Sequence, residues 1–277
     1  MVFLDILDKF SEMSINKWND SPQENNKEYS KLWYDLDVEL LKNYISGNIE
    51  FLPDDINWIY PKKLFKEVEG KKVLCLASGG GQQSVVFSLL GADVTVCDIS
   101  ISQLELDKKA ASHYGYKIKI INSDMRDLRL LDSNSFDIVY QPVSICFVPD
   151  IIKVYLEVYR VLRNNGIYSV SHCNPSTYPV WFYGEKNGWD GIGYRITEPY
   201  VCGEIRIDEN GNENMTKGNG IGEFRHSLSD IFNKLIEIGF IIEGVFEDPR
   251  TMKVNKKVDD IHSIILSYFS ILGRKKI

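Results

Sequence analysis

The segment VLCLASGGGQQS, Val73 to Ser84, joins an apolar run to three consecutive glycines and then to a helix-forming stretch. A strand that runs into glycines can turn tightly and leave N–H groups bare at the next helix start, where a nucleotide-like ligand is held. Gly79 and Gly81 match the first two glycines of the dinucleotide pattern G-x-G-x-x-G, and Ser84 stands where the third would be. The next apolar run, VTVCD, ends at Asp98, 17 residues after Gly81, where a carboxylate accepts hydrogen bonds from a ribose diol. In NSDMRDL, Asp124 follows the run ending at Ile121 and offers an acceptor to an adenine amino group beside Met125.

Residues so placed require a parallel sheet to gather them at one edge. From Lys71 onward, short apolar runs alternate with amphipathic segments, the pattern of βα units. Strands are expected at Val73 to Ala77, Asp93 to Cys97, Lys117 to Ile121, Phe136 to Tyr140 and Ile167 to Ser171, then near Phe240 to Phe246 and Ile264 to Leu272. Ser100 with Gln103 fits a capping box, Gly115 a helix stop and Pro149 a first helical turn. Asn164-Asn165-Gly166 is read as the end of a helix carrying Tyr155, Tyr159 and Leu162. A later helix, Ser227 to Ile238, places Leu228, Ile231, Phe232 and Leu235 on one face and stops at Gly239.

Two segments stand outside this rhythm. Residues 1–70 carry 14 acidic and 8 basic side chains, with Phe3, Leu7 and Phe10, then Leu32, Trp33, Leu36, Leu40, Leu41 and Tyr44, at helical spacing. They read as an acidic helical extension before a main domain at 71–277. Cys173 to Arg225 holds nine of the chain's 20 glycines and eight aromatics, and reads as an irregular insertion.

The 277 residues, 44% hydrophobic and 26% charged, have the balance of a globular protein. With a net charge of -7, the broad basic face that nucleic acid binding needs is not expected, and a local basic groove stays open. No apolar stretch reaches the ~18 residues that span a bilayer. Asp5 and Asp8 occupy a start where a signal peptide carries positive charge, so a cytoplasmic chain without a membrane partner is expected. Five cysteines without C-x-x-C spacing read as reduced thiols, and no metal site is expected.

The series VLCLASGGGQQS, VTVCDIS, INSDMRDL, FDIVYQPVSICFVPD and RVLRNNGIYSVSH resembles the successive motifs of class I S-adenosylmethionine-dependent methyltransferases, in the small-molecule branch of the ubiquinone/menaquinone C-methyltransferases. The resemblance implies a Rossmann-like α/β fold with seven strands, mostly parallel, closed by a final antiparallel strand. It implies S-adenosylmethionine as cofactor and S-adenosylhomocysteine as product. By position it sets Ala77, Ser78, Gly79 and Gly81 against the methionine part, Asp98 on the ribose, Ile99, Asp124 and Met125 at the adenine, and Gln141 facing the amino-acid moiety. The chain departs from the family at Cys75, where an acidic residue is common, and at Gly80, where threonine is.

Methyl transfer is an in-line displacement in which positioning does most of the work, with a base where the acceptor must lose a proton. His172, ending the fifth strand, and His226, before the later helix, are the candidate bases. Asn174, Tyr178, Trp181, Tyr194, Arg195 and Arg225 lie on the side where open α/β sheets bind ligands, and Trp33 and Tyr34 are placed as a lid. A small-molecule acceptor is expected, with oxygen or nitrogen favoured over carbon. A nicotinamide-dependent oxidoreductase and a non-catalytic cofactor-binding protein are the alternatives.

Overall fold

In the computed structural model, residues 9–20, 36–50, 52, 59–177, 192–194, 196, 200, 224–247 and 265–276 are described. The expectations for Trp33, Tyr34, Tyr178, Trp181 and Arg195, and for most of the insertion, lie outside these residues.

Alternation of side chains across a strand determines how the central sheet is covered. In β1 (Lys72–Leu76), Val73 and Cys75 join one buried cluster, while Leu74 and Leu76 join another. A strand buried on both faces needs helices on both sides, which is why its sequence is an unbroken apolar run. The first cluster contains residues of α2 (Val38–Ser46), the 3-10 turn Lys62–Phe65, α3 (Gln83–Leu89) and α4 (Ile101–Tyr114). The second contains residues of α5 (Ile151–Val161) and α6 (Leu228–Ile238). Leu41, Tyr44 and Phe65, from the stretch before residue 70, therefore pack in the same core as β1. Phe65 stacks on Phe87 at 4.9 Å between ring centroids, and Phe87 meets Tyr140 edge-on at 5.3 Å.

The remaining strands are β2 (Asp93–Asp98), β3 (Lys119–Asn122), β4 (Phe136–Gln141), β5 (Leu162–Cys173), β6 (Phe240–Glu247) and β7 (Tyr268–Lys275). Their order is β3-β2-β1-β4-β5-β7-β6. Pairs among β1 to β5 are parallel, and β7 lies antiparallel to both β5 and β6. The chain runs outward from β1 to β3 and then restarts at β4 on the other side of β1. Such a reversal opens a crevice beyond the carboxyl ends of β1 and β4, where ligands bind. The expected seven-stranded, mostly parallel α/β architecture is what the chain forms.

Helix ends follow local chemistry. Ser100 caps α4 by accepting from the Gln103 N–H at 3.1 Å, and Gly115 ends it at φ 73°. Ser227 caps α6, which Gly239 ends at φ 113°. Several boundaries differ from expectation. Pro149 stands before the Asp150 cap of α5 rather than inside the first turn. Asn164-Asn165-Gly166 does not end that helix: α5 stops at Val161 and the chain enters β5 directly. Phe136 pairs with Leu162 and Ile138 with Ile167, and this register shift is absorbed with Asn165 at φ 64°. β7 extends to Lys275, beyond the expected Leu272, because Ile167 and Phe240 give Arg274 and Lys275 partners.

Candidate active site

Beyond β1, Ala77 takes φ 45°, a left-handed conformation that costs a residue with a Cβ on the order of 1 kcal/mol. Its N–H donates to the Cys97 carbonyl at 2.7 Å, fixing the bend against the end of β2. Gly80 and Gly81 continue the turn at φ 120° and 73°. Gly79 is needed for space: a Cβ there would lie 2.7 Å from Gln103 Cβ and 3.0 Å from Asp98 Oδ2. The turn lies flat against the start of α4.

Asp98 joins these pieces. Its Oδ2 accepts from the Gly79 N–H at 2.8 Å and its Oδ1 from the Ser100 N–H at 2.9 Å. Burial pushes its pKa up against these two N–H groups, which favour the charged form. The Ile99 N–H also favours its charged form, which leaves the carboxylate at least one of its four lone pairs for a ribose hydroxyl. Asn122 donates to the carbonyls of Asp98 and Ile99, which ties the end of β3 to the same corner. Ser78 is buried, and its hydroxyl donates to Gln83 at 3.4 Å. The expected capping box is half made, because Gln103 Nε2 donates to the Trp18 carbonyl at 3.3 Å rather than back to Ser100.

Trp18 belongs to α1 (Lys9–Asp20), which crosses this edge of the sheet. Asn19 Oδ1 accepts from the Ser100 hydroxyl at 2.8 Å and from the Ser102 N–H at 3.2 Å. The Trp18 ring stands edge-on to Phe147 at 5.6 Å. Ser11 donates to Asp124 Oδ2 at 2.9 Å and accepts from Arg126 Nη2 at 2.6 Å. Arg126 also donates to Asp124 Oδ1 from its N–H and Nε, and to Oδ2 from Nη2. All four acceptor positions of the carboxylate are thereby filled. The structure thus gives Asp124 an arginine and a helix to hold, where an adenine amino group was expected.

Several other candidates are engaged elsewhere. Gln141 is fully buried; its Oε1 accepts from Tyr168, and its Nε2 donates to Ser144 at 3.1 Å and contacts the Met125 sulfur at 3.3 Å. Its amide orders the chain after β4 rather than presenting itself to a ligand. Asn174 donates to the Leu266 carbonyl at 2.8 Å and accepts from the Ser176 N–H at 3.0 Å, which secures the end of β5. Arg225 is buried beside His226, and Tyr194 is partly exposed.

The two histidines differ. His172 lies in the core, stacked on Phe269 with centroids 5.6 Å apart and 3.3 Å from the Tyr155 hydroxyl. Desolvation, with a smaller contribution from His226, lowers its pKa from 6.5 to about 3, so the ring is neutral and a weak base. Between those two pH values the unfolded chain binds the proton and the folded chain does not, so stability is lost as pH falls, by up to about 1.4 kcal/mol per unit. His172→Gln is expected to reduce the stability lost between about pH 7 and about pH 5 by about 2 kcal/mol. Urea unfolding at both pH values measures this, and a variant with the wild-type pH dependence would contradict the buried neutral ring. His226 is held by the Val148 carbonyl, 2.9 Å from Nε2, at the turn after β4. Burial lowers its pKa too, but carbonyls and nearby acids oppose that shift.

Sequence reading missed Asp107, Arg126 and the α1 residues Ser11, Trp18 and Asn19. Asp107 had a signal: it falls between Leu104 and Ala111 on the apolar face of α4, and it is fully buried. A carboxylate on such a face must have partners. Among the described residues, no group of three acidic, cysteine or histidine side chains is arranged to hold a metal ion. No helix among them is long and apolar enough to cross a membrane.

Comparison with known proteins bears on this arrangement. Residues 74–170 match a family model described as a methyltransferase domain. The chain is 38% identical over 188 residues to the uncharacterized methyltransferase YbaJ of Bacillus subtilis, covering 68% of this chain and 72% of the relative. It is 31% identical over 105 residues to the sterol 24-C-methyltransferase erg6 of Aspergillus fumigatus, covering 37% of this chain and 28% of that protein. Its fold is similar to that of an S-adenosylmethionine-dependent methyltransferase from Mesorhizobium loti, with a TM-score of 0.62 at 20% identity over 76% of this chain and 93% of that one. With a glycine turn, a strand-ending Asp98 and a bacterial relative matched over more than two thirds of both chains, the chain belongs to the class I S-adenosylmethionine-dependent methyltransferases and is an enzyme with that cofactor as methyl donor.

Proposed function

We infer that the enzyme methylates a small-molecule acceptor, at oxygen or nitrogen rather than carbon. The observation that carries the small-acceptor reading is α1, drawn across the ligand edge by Ser11, Trp18 and Asn19. A helix over that edge leaves room for a small ligand and obstructs a polymer. The charge of -7 also repels a phosphate backbone.

When bound, S-adenosylmethionine supplies an activated methyl group on a sulfonium. Ala77, Ser78, Gly79 and Gly81 hold its methionine end in this reading, because the turn at Gly79 has no space to spare for a Cβ. Asp98 uses its remaining acceptor capacity on the ribose. Ile99 and Met125 give the adenine apolar contact beside the carboxylate corner. The acceptor enters beside Phe147, Cys146 and Cys173, where the turn after β4 meets the end of β5. Trp33, Tyr34, Tyr178, Trp181, Tyr194, Arg195 and Arg225 remain assigned to the acceptor.

Oxygen and nitrogen acceptors shed a proton as they are methylated, and His226 is the group we assign to take it. Its lowered pKa leaves it neutral at pH 7, and Val148 fixes its ring. The fungal relative is named for a carbon acceptor, so the atom is the part to test. Incubation with methyl-labelled cofactor and a panel of small phenols, amines and carboxylic acids is expected to label oxygen or nitrogen, read by mass spectrometry and NMR. His226→Gln is expected to lower kcat by about 100-fold while leaving cofactor affinity intact. Label on carbon, or on macromolecules alone, would overturn the reading.

A further inference from the structure

Behind the glycine turn lies a carboxylate that neither the sequence motifs nor the mechanism above uses. Asp107 stands in the middle of α4 and is fully buried. Its Oδ2 accepts from the Gly80 N–H at 3.0 Å, and its Oδ1 accepts from the Ser84 hydroxyl. The Gly81 N–H also points to it. One side chain thus grips the turn at two successive glycines and grips α3 at its start.

We propose that Asp107 is a positioning residue for S-adenosylmethionine: its charged carboxylate holds Gly80, Gly81 and Ser84 in the binding geometry and lends the turn negative potential that favours a cationic cofactor. This rests on the reading that the turn receives the methionine end. Buried charge acts over short distances through a low effective dielectric, so a carboxylate behind a backbone turn is felt by a cation in front of it.

The neighbours make the charge responsive to proton concentration. Cys75 faces Asp107 from β1, Asp98 from β2, Ser84 from α3, and Tyr116 from the segment after α4. Burial pushes the Cys75 thiol and the Tyr116 phenol up, so both stay neutral, and Asp98 is the charged neighbour. Desolvation and, more weakly, Asp98 raise the pKa of Asp107 to about 7, against the Ser84 hydroxyl and the glycine N–H groups that lower it. Charged above that value and neutral below it, Asp107 couples cofactor affinity to pH in the neutral range.

The test is calorimetric titration of the full chain with S-adenosylmethionine at a series of pH values. Wild type is expected to bind about tenfold more weakly at about pH 5.5 than at about pH 7.5. Asp107→Asn keeps the shape and the acceptor for Gly80 but has no titratable group, so its affinity divided by that of wild type is expected to change by that factor. Because the ligand is the same in both, its own titration cancels. Ser84→Ala removes a hydrogen bond to the charged form, and the midpoint of the wild-type profile is expected to move to higher pH. An Asp107→Asn profile parallel to wild type, or an unmoved midpoint in Ser84→Ala should the first variant not fold, overturns the proposal. Gly79→Ala separates the underlying reading: if it binds like wild type, the turn is not the cofactor site, whereas if it alone loses binding, the site stands and the role of Asp107 fails.

Discussion

Gly79→Ala is expected to weaken S-adenosylmethionine binding by about 100-fold, or about 2.7 kcal/mol, with the fold retained. The added carbon would fall 2.7 Å from Gln103 Cβ, closer than two carbons approach without one of them moving. It would also fall 3.0 Å from Asp98 Oδ2, whose hydrogen bond to the Gly79 N–H spans 2.8 Å. Relief of the Gln103 contact requires the turn to lift from α4, and relief of the Asp98 contact requires that shift or a swing of Asp98; each displaces a group assigned to the cofactor. The cost is local, because Gln103 lies in the first turn of α4 and Asp98 at the carboxyl end of β2, so the paired strands beneath need not shift. Calorimetry with S-adenosylmethionine, alongside circular dichroism and thermal unfolding, measures the two parts separately. Affinity within about twofold of wild type would mean that the turn is not the cofactor site.

Arg126→Met is expected to cost about 3–5 kcal/mol of unfolding free energy. The side chains of Arg126 and Asp124 are 5% and 7% exposed, so water does little to screen the pair or to replace a missing partner. Without the guanidinium, Asp124 keeps only the Arg126 backbone N–H and the Ser11 hydroxyl. A buried carboxylate so poorly compensated is expensive, whereas apolar replacement of both partners is close to neutral. The double variant Asp124→Leu/Arg126→Met is therefore expected to recover most of the loss, and a double-mutant cycle in urea reads the coupling. Ser11 loses its contacts with Asp124 and Arg126 in the double variant, so α1 is expected to become open to protease even where global stability has recovered. A single-variant cost below about 1 kcal/mol would place the pair in water and leave α1 without this anchor.

These predictions differ in how far the amino-acid sequence alone supports them. The glycine turn, the strand-ending Asp98 and the helix ends at Ser100, Gly115, Ser227 and Gly239 were all legible, because each is a local requirement. A left-handed φ asks for glycine, a bare N–H asks for a nearby hydroxyl, and a strand buried on both faces asks for an unbroken apolar run. The positions of the first five strands followed from the alternation of short apolar runs with amphipathic segments. The family resemblance extended this reading to the cofactor.

Only the tertiary structure decided which polar groups meet. Ser11 and Asp124 are 113 positions apart, Ser100 and Asn19 are 81 apart, and Asp107 lies 27 positions from the Gly80 that it holds. Gln141, Asp124 and His172 carry the residue types of a site, yet each meets a buried partner that local sequence does not specify: Tyr168, Ser11 and Tyr155. The bulge at Asn165 likewise replaced a helix stop because Leu162 found a strand partner in Phe136. The physical reason is common to all of them: a buried donor or acceptor must be satisfied by whatever group folding brings within about 3 Å, and that neighbour is set by how the elements pack.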